Sequence, residues 1–232
     1  MSDAALDAYW RFFETFNTRD AYTFSTAMSY PHVRVSWARE PVVLADQEAH
    51  ALSVGWDAFI RSGWDHTVGA DPEVIGSSVA KAHIAGGWTR YTVSDEPILT
   101  NKVCYIVTRV EGKWGIQSRF GTDPGNDGVE QTESESVSAL DHVSGFLQAI
   151  ASKDGSTDRF ISDEFFVIGV GAVRRVKRGE DLLMEGMHDP QLRVIQSGPS
   201  SITVCALEHG HEALIYAVRQ ENEWKIKAGS WL

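Results

Sequence analysis

The stretch RVEGKWGIQSRFG (residues 109–121) is written again, in altered form, as RQENEWKIKAGSW (219–231). The two align without a gap at an offset of 110, pairing Arg109 with Arg219, Glu111 with Glu221, Trp114 with Trp224 and Ile116 with Ile226. The beginnings match as well: ALDAYWRFFETFNTRD (5–20) lies over ALDHVSGFLQAIASKD (139–154) at an offset of 134. Matched starts and matched endings in the same order describe a duplicated domain. The fall in offset means that the second copy has lost about two dozen residues from its middle.

Each copy divides into elements by its periodicity. In the first, Ala5, Tyr9, Phe12, Phe13 and Phe16 fall at helical spacing and predict one apolar stripe. A short second helix is expected at 20–28, then strands at HVRVSW and PVVLA. A third helix is expected to carry Leu52, Trp56, Phe59 and Ile60, opened by the acidic DQE. SSVAKAHIAGGWTRYTV, NKVCYIVTRV and KWGIQSRF read as long strands, joined by the turns SDEP and EGK. The second copy repeats this with SALDHVSGFLQAIA and six strand-like runs, but a short GEDLLME stands where the third helix was. Helices first and then a run of strands predict an α+β class: two cone-shaped domains, each a strongly curved antiparallel or mixed sheet with helices on its concave side.

Charge marks the joint. The formal net charge is −11, and the stretch TDPGNDGVEQTESESV (122–137) holds five acids and no base. The expected organisation is a first domain at 1–121, an acidic linker at 122–137 and a shortened second domain at 138–232. Net acidity argues against nucleic acid or an anionic membrane as partner. No apolar run approaches the roughly 20 residues of a membrane helix. The start, MSDAALDAYWRFF, carries acid rather than base ahead of its apolar residues, so the cytoplasm is the expected location. Cys104 and Cys205 lie in alternating apolar runs and read as small buried hydrophobes.

The element order, closing on YIVTRVEGKWGIQSRFG, resembles the nuclear-transport-factor-two-like superfamily, whose members are also called SnoaL-like domains. The segment WTRYTVSDEPILTNKVCYIVTRVEGKWGIQSR is similar to the last three strands of its many bacterial members. The resemblance implies a ligand pocket in the cone between the sheet and the first and third helices. It leaves function open, because this scaffold hosts isomerases, dehydratases, cyclases, epoxide hydrolases and plain binding modules. It also implies a habit of dimerising through the sheet face, which a tandem chain could satisfy internally as a pseudo-dimer, with a further homodimer open.

Six of the eight tryptophans lie in the first copy. Trp37, Trp56 and Trp88 are the candidate walls of an aromatic-lined pocket; the alternative is that they fill the core. On the long strand, Ile84, Trp88 and Arg90 share the parity expected to face inward, with His83 outward. Arg90 is the candidate holder of an anionic group, the alternative being a surface ion pair. His32 and Tyr9 are the candidate proton-transfer pair, the alternative being a strand-start histidine beside a core tyrosine. The carboxylates that ketosteroid-isomerase-like or limonene-epoxide-hydrolase-like sites need are missing from HVRVSW and VCYIVTRV. EHGHE (208–212) reads as a polar turn rather than a metal site, and no metal or cofactor is expected. Three readings follow: a domain that binds a small apolar or aromatic molecule in the first cone, a cofactor-free lyase, isomerase or cyclase using His32 and Tyr9, or a non-catalytic assembly module.

Overall fold

In helix α1 (Ser2–Asn17) the residues Ala5, Tyr9, Phe12, Phe13 and Phe16 are all buried, so the apolar stripe is the face that meets the sheet. The computed structural model describes residues 2–123, 133–153, 155–180, 182, 184 and 186–232. The chain divides into two compact units: Met1–Arg34, Pro41–Gly121 and Val170–Ala172 in one, Val35–Glu40, Thr122–Gly169 and Val173–Leu232 in the other. Most of the acidic segment 122–137 lies outside the described residues. Its end, from Glu133, opens helix α5 (Glu133–Ser152) instead of continuing as linker.

In the first unit Asp20 caps α2 (Ala21–Ser25), its carboxylate accepting from the Thr23 amide at 2.6 Å. Strands β1 (Met28–Val35) and β2 (Val43–Leu44) follow. The expected third helix is two: α3 (Gln47–Ser53), capped by Asp46, and α4 (Trp56–Arg61). Val54 is extended and Gly55, a poor helix former, stands at the break. The break rotates the apolar positions out of one stripe. Trp56 and Phe59 pack on the core, while Leu52 and Ile60 are exposed at 77% and 54%.

Strands β3 (His66–Gly69), β4 (Glu73–Ser77), β5 (Lys81–Tyr91), β6 (Pro97–Val110) and β7 (Lys113–Gly121) complete the sheet, in the order β2-β1-β7-β6-β5-β3, with β4 also on β5. Sequence periodicity missed β3 and β4. They pair with successive halves of β5, so they are one edge strand interrupted around Pro72, which lacks a ladder N–H. The core lies between α1 and the inward parity of the sheet: Ala82, Ile84 and Trp88 from β5, Val103, Tyr105 and Val107 from β6. His83, Cys104 and Ile106, on the other parity, are buried too.

The second unit holds α5, a 3-10 turn (Ser156–Arg159), and strands β8 (Ile161–Gly169), β9 (Ala172–Lys177), β10 (Gln191–Gly198), β11 (Ser201–Glu208), β12 (His211–Gln220) and β13 (Glu223–Trp231). Its order, β10-β11-β12-β13-β8-β9, repeats that of the first sheet strand for strand, with β8 and β13 parallel and β10 to β13 antiparallel. Helix α5 buries Ala139, Val143, Phe146, Leu147 and Ile150, each 134 positions beyond a member of the α1 stripe.

The duplication extends to irregularities. A bulge leaves Gln117 unpaired on β7 and Lys227 unpaired on β13, at the same offset of 110. The Ile116 amide donates to the Ala27 carbonyl at 3.0 Å, and the Ile226 amide to the Phe160 carbonyl at 2.8 Å. Such bulges bend and twist a strand, which closes each sheet over its helix. The two copies therefore correspond in strand order and at the bulge, and residues at equivalent offsets can be compared.

Candidate functional site

The bulge at Gln117 decides what the first cone contains. Strict alternation along β7 would put Trp114, Ile116 and Ser118 on one face and Arg119 on the other. With Gln117 looped out, Ile116 lies opposite Val107 and Arg119 opposite Tyr105, both of them inward neighbours. The Arg119 guanidinium lies 5.1 Å from the centre of the Phe12 ring, over α1's buried face. Tyr105 is fully buried, and among the described residues its hydroxyl has no hydrogen-bond partner.

His32, on β1, reaches the same interior. Its Nδ1 lies 2.9 Å from the Ile116 carbonyl, so Nδ1 carries the proton and donates. Nε2 is left with its lone pair, buried and, among the described residues, without a partner. The His32 ring meets that of His50 edge to face at 5.3 Å, and His50 in turn bonds the Ser25 hydroxyl through Nδ1 at 2.8 Å. Phe24 and Tyr30 pack around His50.

Electrostatics make this a cationic interior holding neutral titratable groups. Burial, then the nearby charges of Arg119, His50 and Arg34, hold the His32 pKa well below its usual value. Burial and Arg119 bring His50 down to about 4. Burial pushes the Tyr105 hydroxyl well above its usual range. At neutral pH both imidazoles are uncharged and Tyr105 keeps its proton. The cluster presents one O–H donor, one ring-nitrogen acceptor and a guanidinium.

The residues singled out from sequence are distributed differently. His32 belongs to the cluster. Tyr9 does not act beside it: its hydroxyl donates to the Ala70 carbonyl at 2.6 Å, with Gly87 O at 3.2 Å, where the edge strand breaks between β3 and β4. Its pKa is raised to about 12, chiefly by burial. The Tyr9 ring packs on that of Tyr105 at 5.1 Å, but its hydroxyl proton is held on the backbone at the strand break. Tyr9→Phe is therefore expected to cost about 1–2 kcal/mol of stability, read by chemical denaturation, with ligand titrations unchanged. A variant as stable as the parent would remove this structural role.

Trp37 leaves the first cone altogether. It falls in the second unit, its indole N–H on the carbonyls of Thr122 (2.7 Å) and Asp123 (3.0 Å). Trp56 packs against the core, stacked on Trp64 at 5.7 Å and 5.2 Å from Phe16. Trp88 is inward and buried, but it stands four residues along β5 from Ile84, the neighbour of Tyr105, or about 13 Å away. Arg90 sits with its guanidinium 4.4 Å from the Trp88 ring and 4.6 Å from the Phe59 ring. Arg119 is the guanidinium that lies beside Tyr105 and His32.

The late strand VCYIVTRV holds no carboxylate, and the polar group it sends inward is Tyr105. His50 carried no signal, since a lone histidine in a short helix is common. Arg119 was hidden by the bulge. EHGHE proves to be the tight turn at His209–Gly210 between β11 and β12. Among the described residues no group of three His, Cys, Asp or Glu side chains converges on a metal position, and no helix is long and apolar enough to cross a membrane.

No family model and no curated protein matches this chain. Solved structures do. An NTF2-like protein with a cystatin-like fold from Novosphingobium aromaticivorans is 12% identical, covering 52% of this chain and 79% of its own, with a TM-score of 0.44. An NTF-2-like protein from Shewanella oneidensis is 11% identical over 52% of this chain and 97% of its own, TM-score 0.43. A ketosteroid isomerase-like protein from Erwinia carotovora is 13% identical over 51% and 92%, TM-score 0.40. On its own element order and the strand order its two sheets share, the chain is a tandem of two α+β domains, the second shortened, and each of these solved structures is similar to about half of it.

Proposed function

We propose that the first domain binds a small aromatic or apolar molecule bearing an oxygen group, seated on the His32–Tyr105–Arg119 cluster. The comparison of the two copies carries this reading. At the equivalent inward positions the second copy has Phe165 for His32, Ile215 for Tyr105 and Gly229 for Arg119. Phe165 and Ile215 are fully buried in its apolar core. The fold therefore closes without polar groups at these places. A buried hydroxyl and a buried ring nitrogen without partners each cost about 1–3 kcal/mol, and a ligand supplies the missing partners. Tyr105 donates to the ligand oxygen, Arg119 favours negative charge on it, and His32 Nε2 accepts from a ligand O–H or N–H. Phe12, Phe24 and Trp56 supply flat apolar surface nearby.

Binding without chemistry is favoured over proton transfer. A protonated His32 would lie buried beside Arg119 and Arg34, which makes it a weak base. The test is a thermal-shift screen of the whole chain against phenols and small aromatic acids, repeated with Tyr105→Phe and His32→Gln. Tyr105→Phe is expected to raise the stability of the ligand-free protein by about 1–2 kcal/mol and to abolish the shift produced by the ligand. A destabilised Tyr105→Phe that still responds fully to the ligand would overturn the reading.

A further inference from the structure

The geometry points to a second ligand site, on the second domain: a cleft for a small aromatic carboxylate, built where the first domain is solid. The cleft has a volume of about 540 Å³ and lies between α5, the 3-10 turn and the β12–β13 hairpin. That size suits a small metabolite. Arg159, Arg219 and Lys225 line it against Glu135 and Glu223, leaving one positive charge in excess.

The cations differ in how far they are committed. Arg219 pairs with Glu135. Lys225 bonds Glu223 at 2.8 Å and the Arg159 carbonyl at 3.2 Å. Arg159 makes no ion pair among the described residues; its guanidinium lies 4.6 Å from the centre of the Phe160 ring. A guanidinium over an aromatic face still offers its N–H edge to a carboxylate in plane. Phe160 and Trp224 supply the flat apolar wall, and Asn222 stands at the hairpin turn with a side-chain amide.

The first domain shows that this cleft is not a by-product of the fold. Lys225 corresponds to Gly115, Asn222 to Gly112, His142 to Ala8, and Gly145 to Arg11. A side chain at 115 would strike the Met28 backbone at 2.6 Å, so that space is filled by the chain itself. Arg11 reaches across to the Trp114 carbonyl and plugs the rest. In the second domain the plug is deleted. Gly145 lets the Phe160 ring lie where a Cβ would stand 2.8 Å from it, and the hairpin carries Asn222 and Lys225 toward the opening. Each copy thus keeps polar groups where the other is apolar or solid.

The probe is benzoate, titrated into the full chain and followed by the backbone amide signals of Asn222, Lys225 and His142. Benzamide serves as the uncharged ring and acetate as the bare head group. Saturable benzoate shifts at these amides are expected, with benzamide and acetate each about tenfold weaker. Arg159→Gln and Lys225→Gly are each expected to weaken benzoate about tenfold, the share of one charge-assisted hydrogen bond. Tyr105→Phe, in the other domain, leaves these shifts unchanged. Equal affinity for benzoate and benzamide, unaltered binding in both cation variants, or no saturable shift at these amides would overturn the proposal.

Discussion

Lowering the pH from 7 to 4 is expected to destabilise the first domain by at least about 3 kcal/mol, mostly before any carboxylate titrates. The cause is the pair His32 and His50. In the unfolded chain an imidazole titrates near 6.5. In the folded domain burial and Arg119 bring His50 to about 4, and His32 is lowered in the same direction by burial, Arg119, His50 and Arg34. The sign follows from which state takes the proton first. Below about pH 6.5 the unfolded chain binds protons that the folded domain refuses, so stability is full above that value and is lost as the pH falls toward 4. The fall from about 6.5 to about 4 at His50 alone corresponds to about 3 kcal/mol. His142 contributes in the same direction in the second domain, where burial lowers it. The measurement is urea denaturation at pH 7, 6, 5 and 4, followed by tryptophan fluorescence, which reports mostly on the first copy. His50→Gln is expected to flatten the profile, and an anionic ligand on Arg119 is expected to raise the imidazole pKa values and do the same. A flat profile in the parent protein would mean that both rings are hydrated, and the closed polar cluster would be wrong.

The parts of this molecule that sequence makes legible are those governed by a regular period. The α1 stripe repeats in α5 because both helices bury one face, and burial at every third or fourth residue leaves a mark in any alphabet of apolar side chains. The inward parity of Ile84 and Trp88 follows for the same reason. The duplication supplied the rest, since a repeated ending needs no period at all. What stayed hidden depends on single departures from regularity. Gly55 splits a helix, Pro72 splits an edge strand, and Gln117 leaves the ladder and carries Arg119 to the other face. Trp37 closes the run HVRVSW in sequence, but Val35–Glu40 belongs to the second unit. Of the expected site only His32 stands in the polar cluster. Its partners, Tyr105, His50 and Arg119, come from three elements whose convergence is tertiary.

Exchanging the residues at the equivalent positions 115 and 225 is expected to give opposite results in the two domains. Gly115→Ala is expected to cost the first domain about 3 kcal/mol or more, at the upper end of overpacking, and Gly115→Lys to prevent it from folding. The added Cβ would meet the Met28 carbonyl carbon at 2.6 Å, its oxygen at 2.8 Å and the Ser29 amide at 2.8 Å. None of these atoms ends a flexible side chain. They belong to β1, which is held in place by the bond from the Ile116 amide to the Ala27 carbonyl next to the clash. Relief therefore means giving up the junction between β1 and β7, the strands that carry His32 and Arg119. Lys225→Gly removes a side chain that already runs along the incoming chain to Arg159. It is expected to cost only about 1 kcal/mol, the entropy of a glycine in a strand, while the domain stays folded. Circular dichroism melts of the three variants, with fluorescence to follow the first copy, decide the matter. If Gly115→Ala melts with the parent protein, the close approach of β1 to residue 115 is mistaken. The first domain would then have room for the same cleft as the second, and the division of labour between the two copies would fall with it.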